Sequence, residues 1–451
     1  MQLRRAMGPL DAVLFFIVAS ANLQWVAAAA VAGPSSLTVW LIGGAAMFVP
    51  LAVVVVSLSR RYPDEGGLYV WSKRAFGPFA GFITGWTYWA SNLPYFAALL
   101  YFAAGNALFM KGSGAAVPTA PPAYFVLFSF AGLALATLLN LYGLNVGKWL
   151  NNAGGVARWS ASLVLIVVAG VAFRHFGSAT PIALHDLRPG IQFKDVIFWS
   201  VIAFAWTGPE AVSFMGGEIA APRRTIPLAL AIAAPVIAGI YLLGTLAVLV
   251  TAHNVDASVG VMQAIAQGNA RLGWGPLTAI AAFLIALSCV GGTGAWLGAV
   301  ARIPFVAGID RYLPPVFARM HPRWNSPVAA LLTQTAFAAL FIVLGQSGTS
   351  VKGAYDVMVS STVIVTMIPF LFLFASALKL GGHPGVALAS VVGLLTTCVA
   401  IVFAGVPAAD DPDKTLAVVK VVASTLVMLA AGAAIYRAGR QRAANIELHH
   451  R

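Results

Sequence analysis

The stretch from Phe204 to Pro227 reads FAWTGPEAVSFMGGEIAAPRRTIP and sets Gly208, Pro209 and Glu210 in a row inside an apolar run. Glycine is free of side-chain constraint and proline has no N–H, so a helix is easily interrupted there. Within lipid an interruption is tolerated only where the freed N–H and C=O groups face protein, water or a ligand. Such groups, with the partial charges at half-helix ends, can hold a small zwitterion or an ion. Glu210 adds a group that can take up and release a proton, and carboxylates within spans are costly and usually functional. A structural proline kink is the competing reading of Gly208–Pro209. Arg158, in NNAGGVAR, is a second charge in an apolar run. It reads either as a fixed cation inside the protein or as a side chain snorkelling to the interface.

The elements that must position these residues follow from hydropathy. Of 451 residues, 60% are hydrophobic and 9% charged, whereas charged residues make up roughly a quarter of a soluble protein. About 20 apolar residues suffice to cross a bilayer as a helix. Twelve such spans are expected, near Leu10–Val31, Leu37–Leu58, Phe79–Phe109, Ala123–Leu141, Ala153–Phe173, Val196–Met215, Ile226–Val250, Leu277–Phe305, Pro327–Leu344, Val357–Leu378, Val386–Ala404 and Leu416–Tyr436. They leave no room for a sizeable soluble domain, so residues 1–451 read as one all-α membrane domain. Gly208 then falls near the middle of the sixth span.

The net charge of +13 reflects topology. With the N-terminus inside the cell, eighteen Lys and Arg residues fall on inner ends and loops and eight on outer ones, with Arg158 left over. That bias fits the positive-inside rule and puts both termini in the cytoplasm of a cell with the chain in its inner membrane. A nucleic-acid surface would instead cluster the charge on one soluble face, so no nucleic-acid partner is expected. The apolar run after Arg4 and Arg5 is long for a signal peptide and is read as the first span. Cys289 and Cys398 both fall in spans and read as buried apolar thiols. No metal-ligand spacing and no nucleotide-binding loop occurs, so no metal or other cofactor is expected. Two inner loops, RRYPDEGGLYVWSKRAFGPFAGF and IDRYLPPVFARMHPRWNSP, carry basic and aromatic residues between Pro and Gly breaks. LYVWSKRAF has an amphipathic face suited to the membrane surface, as an anchor or as part of a gate.

These motifs resemble the amino acid–polyamine–organocation superfamily of transporters. FAWTGPE followed by GEIAAPRRTIP is similar to that family's broken sixth helix and its exit. YPDEGGLYVWSKRAFGPFAGFITGW resembles the loop after the second span, GIDRYLPPVFARMHPRWNSPVAAL the loop after the eighth, and GLNVGKWLNN the start of the fifth. The matches spread over most of Leu10 to Leu378. The resemblance implies a LeuT-like core of two inverted repeats of five helices, at 10–173 and 195–380. Spans one and six are broken and cross at the site, and two further helices follow at 385–437. The first span departs from the pattern: where the family has a Gly-rich break, this chain has Ser20, Ala21, Asn22 and Gln24, ahead of Gly33. Asn22 and Gln24 read equally as polar groups that pack helices.

The resemblance also implies roles. Backbone N–H groups near Ser20, Ala21 and Asn22 would receive a substrate carboxylate. Carbonyls near Phe204, Ala205, Trp206, Thr207 and Gly208 would receive its ammonium. Trp296, in GGTGAWLG, matches an aromatic that closes the site toward the cytoplasm, with Phe204 as the middle gate on the same path, and Tyr88 and Trp89 would line the third span's face; for each, packing is the competing reading. Glu210 would handle a proton, and Arg158 would occupy the place of a sodium ion. The function implied is secondary active transport of an amino acid or related amine by alternating access, coupled to protons or by exchange and independent of sodium. A polyamine carrier of the same fold is the alternative. A channel would need pore-lining polar rings and an enzyme a convergent catalytic set; neither pattern occurs. The expected partners are a small-molecule substrate and the lipid bilayer, with the oligomeric state left open.

Overall fold

The structure, a computed structural model, describes residues 5–111, 118–190, 193–345, 349–404 and 414–449. Arg4 and Arg451, counted above among the inner charges, lie outside the described residues, as do the side chains of Lys194, Lys352, Lys414 and Lys420.

The chain is helical throughout its spans. The first is split into α1 (Pro9–Ser20) and α2 (Leu23–Val31). The second comprises α3 (Ser35–Gly43) and α4 (Val49–Arg61), joined by one π-helical turn at Gly44–Phe48. That turn lies where the indole of Trp206 packs on Gly43 and Gly44, with no room for a Cβ at Gly43. A short loop helix, α5 (Leu68–Phe76), precedes α6 (Pro78–Ala107), α7 (Pro122–Leu141) and α8 (Leu144–Phe176). The sixth span opens with α9 (Phe193–Ala205), breaks, and resumes as a 3-10 segment at Ala211–Glu218. Then come α10 (Pro222–Thr251), a second loop helix α11 (Gly260–Leu272), and α12 (Gly275–Val300) running into α13 (Arg302–Ile309). The remaining spans are α14 (Val328–Leu344), α15 (Thr349–Leu380), α16 (Pro384–Ala404) and α17 (Lys414–His449). Among the described residues nine helical stretches are long and apolar enough to cross a membrane, with two shorter apolar helices beside them.

The polarity of the packing is that of a membrane protein. Leu10, Leu41, Leu127, Trp149, Leu388 and Val427 are exposed, while Asn92, Asn140, Asn151, Thr87 and Ser91 are buried. Apolar side chains cover the outside because lipid is their solvent, and polar ones turn inward where partners exist. Cys289 is buried as expected, but Cys398 faces outward from α16, which an apolar environment outside the protein permits.

Three helices approach unusually closely. An added Cβ on Gly154 of α8 would lie 2.7 Å from the Cα of Gly291 on α12, and one on Gly155 would lie 2.7 Å from the carbonyl oxygen of Leu14 on α1. The adjacent glycines of NNAGGVAR thus admit a different helix on each side, and Arg158 follows one turn later at the junction.

Two elements differ from the sequence expectation. The fifth span starts at Leu144 instead of Ala153. Its polar first turns find partners at the start of α1: Lys148 donates to Asp11 at 3.0 Å and to the Ala6 carbonyl at 2.9 Å, and Asn152 donates to Asp11 at 2.7 Å. A hydropathy window counts those residues as loop because it cannot see the partners. Helix α5 lays its apolar face on α6 and α15, not on lipid. Tyr69 and Trp71 are buried there; Tyr69 donates to Asp310 at 2.6 Å, and Trp71 to the Tyr62 carbonyl at 3.0 Å.

Candidate functional site

In the first span α1 stops at Ser20, Ala21 and Asn22 are non-helical, and α2 starts at Leu23. A helix end leaves its last carbonyls without intrahelical donors, and away from lipid each must be met by protein, water or a ligand. Three side chains from three helices do this. The guanidinium of Arg158 on α8 donates to the Val18 carbonyl at 2.7 Å. The indole of Trp296 on α12 donates to Ala19 at 3.2 Å. The hydroxyl of Tyr241 on α10 reaches the Ser20 carbonyl.

The sixth span breaks on the pattern its sequence suggests. Gly208 has φ +125°. Its N–H donates to Glu210 Oε2 at 2.9 Å, and the other carboxylate oxygen accepts the Tyr88 hydroxyl at 2.5 Å. The Phe204 carbonyl accepts both the N–H and the hydroxyl of Thr207, at 3.0 and 2.7 Å. The Ala205 carbonyl lies 2.8 Å from the hydroxyl of Tyr241.

The two breaks touch. A Cβ on Gly208 would sit 2.6 Å from the hydroxyl oxygen of Ser20 and 3.0 Å from its Cα, so both the positive φ and the space require glycine. Tyr241 spans the contact: its oxygen also accepts the Asn22 N–H at 3.2 Å. One hydroxyl therefore meets the carbonyl end of α1, the N–H side of α2 and the carbonyl end of α9. Trp40 stacks on the Tyr241 ring with centroids 4.2 Å apart and holds it in place.

Beside the contact lies a small cavity. The first span contributes Ala19, Ser20, Asn22 and Trp25, and the sixth Phe204, Ala205 and Thr207. Helix α6 contributes Tyr88, Ser91, Asn92 and Tyr95, with Trp296 from α12 and Thr366 from α15. The lining is aromatic and neutral-polar, without a charged side chain. Trp25 meets Phe204 edge-on at 5.5 Å on the α2 and α9 side, and Trp296 lies between Tyr88 and Tyr95 at 6.3 and 6.2 Å on the other. The hydroxyl of Ser20 is buried without a partner, and the first-turn N–H groups of α2 lack intrahelical acceptors as at any helix start. An α2 N-terminus and an α9 C-terminus therefore face one neutral cavity, with opposite partial charges.

Of the residues singled out in the sequence, Ser20, Asn22, Tyr88, Phe204, Ala205, Thr207 and Trp296 line the cavity. Ala21 and Gly208 form the breaks beside it. The indole of Trp206 points away, into a cluster with Trp40, Phe48 and Tyr241, and donates to the Trp40 carbonyl at 3.2 Å. Glu210 is buried behind Tyr88. Arg158, 1% exposed, does not snorkel: its second donor reaches the Ser288 carbonyl on α12 at 3.1 Å, and among the described residues no carboxylate pairs with it. Sequence reasoning missed Trp25, Ser91, Asn92, Tyr95, Thr366 and Tyr241. Tyr88, Ser91, Asn92 and Tyr95 follow the i, i+3, i+4, i+7 spacing of one helix face, a signal that was available. Tyr241, one aromatic in a long apolar run, carried none.

Known proteins resemble this chain along most of its length. The model of the family described as "Amino acid permease" matches residues 8–435. A probable agmatine/putrescine antiporter of Lactococcus lactis subsp. lactis is 24% identical, over 74% of this chain and 71% of the relative. The glutamate/gamma-aminobutyrate antiporter of the same organism is 27% identical, over 74% of this chain and 68% of the relative. Among solved structures, that of MhsT in complex with L-phenylalanine superposes with a TM-score of 0.60 at 14% identity, over 90% of this chain and 99% of the other. The shared fold is the LeuT-like core of two five-helix inverted repeats with broken first and sixth helices.

The bridge at Tyr241 makes a stability prediction. Tyr241→Phe keeps the ring stacked on Trp40 but removes the hydroxyl from two carbonyls and one N–H. The Ser20 carbonyl and the Asn22 N–H keep their 3.0 Å bond to each other, but the Ala205 carbonyl loses its hydroxyl partner, and one buried backbone group left without a partner costs about 1–3 kcal/mol. The thermal midpoint of purified protein should fall measurably; an unchanged midpoint would mean that water replaces the hydroxyl at no cost.

Proposed function

This chain belongs to the amino acid permease family, and from that premise we propose that it is a sodium-independent secondary transporter of zwitterionic amino acids with neutral side chains, binding them between its two broken helices. The observation that carries the proposal is the contact of the two breaks beside an uncharged cavity. A free amino acid presents a carboxylate and an ammonium a few ångströms apart. The N-terminus of α2 with the Ser20 hydroxyl suits the first, and the carbonyl end of α9 suits the second. A polyamine, with two cations and no carboxylate, would leave the α2 end unused and find no acid in the lining. The named relatives handle both amino acids and amines, so the neutral lining is what favours the amino acid.

Transport by alternating access requires that each side of the cavity open in turn. Trp25 with Phe204 would close the α2 and α9 side, and Trp296 the other. The positive-inside bias supports a cytoplasmic location for both termini and so for the side beyond Trp296. Arg158 would take the role of a bound cation between α1 and α12, since it already fills carbonyls of both helices. Its charge is favoured by the C-terminal end of α1, where a cation meets the negative end of the helix dipole. Glu210 would serve as the proton-handling group. Protonation removes an acceptor from Tyr88 or Gly208, and Tyr88 is a wall of the cavity.

Three measurements test this reading. First, counterflow of amino acids in proteoliposomes should be unchanged when sodium is replaced by choline, and a strong loss would remove Arg158 from the cation role. Second, Glu210→Gln should flatten the pH dependence of uptake while substrate binding stays measurable by thermal shift; a wild-type pH profile in the mutant removes Glu210 from coupling. Third, Trp296→Ala should weaken substrate binding about ten- to a hundredfold, the worth of on the order of 1–3 kcal/mol of aromatic packing. Trp296→Phe should retain part of it. Trp324→Ala, in the loop after α13, serves as control, and equal damage there would make Trp296 an ordinary packed residue.

A further inference from the structure

Beyond Trp296, on the side of the N-terminus, three segments meet that the cavity does not use: YPDEGG after α4, GGEIAAP after the sixth-span break, and the start of α13. Arg302 is buried at their centre, its side chain 3% exposed. It donates to both oxygens of Glu218 at 2.7 and 3.0 Å and to the Gly298 carbonyl at 2.5 Å. Glu65 approaches the same guanidinium but stays 3.7 Å away, outside hydrogen-bond reach. One oxygen of Glu65 accepts the Gly217 N–H at 2.8 Å; the other is enclosed and has no donor.

The neighbouring charges are matched in pairs. Asp64 meets Arg74 at 2.7 Å at the surface. Asp310 takes Lys73 at 2.7 Å and the Tyr69 hydroxyl. Asp11 takes Lys148 at 3.0 Å. Among the described residues, only at Arg302 do two carboxylates divide one cation, which leaves a buried negative charge and an orphaned oxygen. Burial and the Glu218 carboxylate hold the Glu65 carboxyl well above the usual range of a glutamic acid, and Arg302 opposes them without reversing the direction.

We propose that Glu65 and Glu218 form a proton-binding site, in which one proton from the cytoplasm sits between the two carboxylates and latches the inner gate shut. The proton turns the orphaned oxygen of Glu65 from an acceptor without a donor into a donor to Glu218. It also brings the trio to zero net charge. The latch holds the parts that must separate for the cavity to open inward. The Glu218 carbonyl accepts the N–H groups of Ala6 and Met7 at 2.8 and 3.1 Å, and Ala220 returns a bond to Met7 at 2.9 Å. Glu65 ties the loop after α4 to Gly217. The loop and the 3-10 segment are pressed together there, since a Cβ on Gly216 would lie 2.6 Å from the Pro63 carbonyl oxygen. That same 3-10 segment runs directly on from Glu210 at the sixth-span break.

The sign follows from linkage. In the closed gate Glu65 binds its proton more tightly than a water-exposed glutamate does, so protonation stabilises the closed form. The stabilisation is complete below the usual glutamic acid range and is lost as pH rises through the elevated value of the closed state. A rising cytoplasmic pH therefore releases the latch, and an acid cytoplasm keeps it shut. The inference rests on the proposed orientation and transport cycle, but its test does not require transport.

The test reads gate opening directly in full-length protein with Cys398→Ser. Ser213, buried behind the latch, is replaced by cysteine, and its alkylation by a water-soluble maleimide is followed from about pH 5 to about pH 8.5, spanning the range above an ordinary glutamate. Rates are divided by those of the same chain unfolded in detergent, which removes the pH dependence of the thiol itself. Labelling should quicken with pH by up to about tenfold per unit within the window. Glu65→Gln offers an amide N–H to Glu218 and a carbonyl to Gly217, so it should label slowly at every pH. Glu65→Asp, which draws the carboxyl back from Glu218, should keep a pH slope with its midpoint moved toward lower pH. A parent without a slope overturns the proposal, as does Glu65→Gln with the parent's slope. If Glu65→Gln does not purify as a monodisperse protein, an unshifted midpoint in Glu65→Asp overturns it equally. Slow, pH-independent labelling of Glu65→Gln in a protein that binds no amino acid would leave the latch standing and sink the substrate reading.

Discussion

A broken helix in lipid must have its freed backbone groups met by protein, water or a ligand, and much of this molecule is arranged around that requirement. The carbonyl end of α1 presents Val18, Ala19 and Ser20, which are taken by Arg158, Trp296 and Tyr241 respectively. Each donor comes from a different helix, so the break is also the place where α1, α8, α10 and α12 are fastened together. Satisfying the break and assembling the bundle are one event. The glycines of α8 and α12 serve the same end, because only backbone-to-backbone approach brings the Arg158 guanidinium within reach of both α1 and α12.

The same arrangement separates charge from the cavity. Arg158 lies behind the α1 carbonyls and Glu210 behind the Tyr88 ring, so the cavity itself is neutral while an ionisable group stands one hydrogen bond beyond each of two walls. A zwitterion carries no net charge and is best met by dipoles, which the half-helix ends supply without the desolvation cost of a buried ion. Charges one layer back act on the walls instead of on the substrate. In the proposed cycle a change of protonation at Glu210 would act through the position of Tyr88, a wall that α6 shares with Ser91 and Asn92.

The face beyond Trp296 follows a different logic. Around the cavity the polar groups are neutral and nearly all satisfied, whereas the layer beyond Trp296 is held by ion pairs between loops and helix ends. Lys73 with Asp310 joins α5 to the loop after α13, Lys148 with Asp11 joins α8 to α1, and Arg302 with Glu218 joins α13 to the sixth span. Arg302 with Glu218 is buried and costly to part while water is kept out, whereas the partly exposed pairs Lys73–Asp310 and Lys148–Asp11 can open at modest cost, because water replaces the lost partner. A break in mid-membrane has no such substitute. Rigidity at the centre and releasable contacts at the face are what a gated carrier requires.

The sequence alone determined the membrane class, the approximate spans, and the interruption of the sixth helix at Gly208–Pro209. Each depends on local chemistry: apolar run length, a missing N–H and a residue without Cβ. It also pointed to Ser20–Asn22, although those residue types alone could not distinguish a break from polar packing. The tertiary structure decided what faces what. It turned Trp206 out of the cavity and set Glu210 behind Tyr88. It buried Arg158 on carbonyls where snorkelling was the competing reading, and extended α8 by more than two turns through partners on α1. Tyr241 remained illegible because its role consists of distances to Ser20, Asn22 and Ala205, residues far from it in sequence and on two other helices. Hydropathy reports the solvent a segment prefers. The partner of a polar group inside that segment depends on which helix packs beside it, and no local window contains that information.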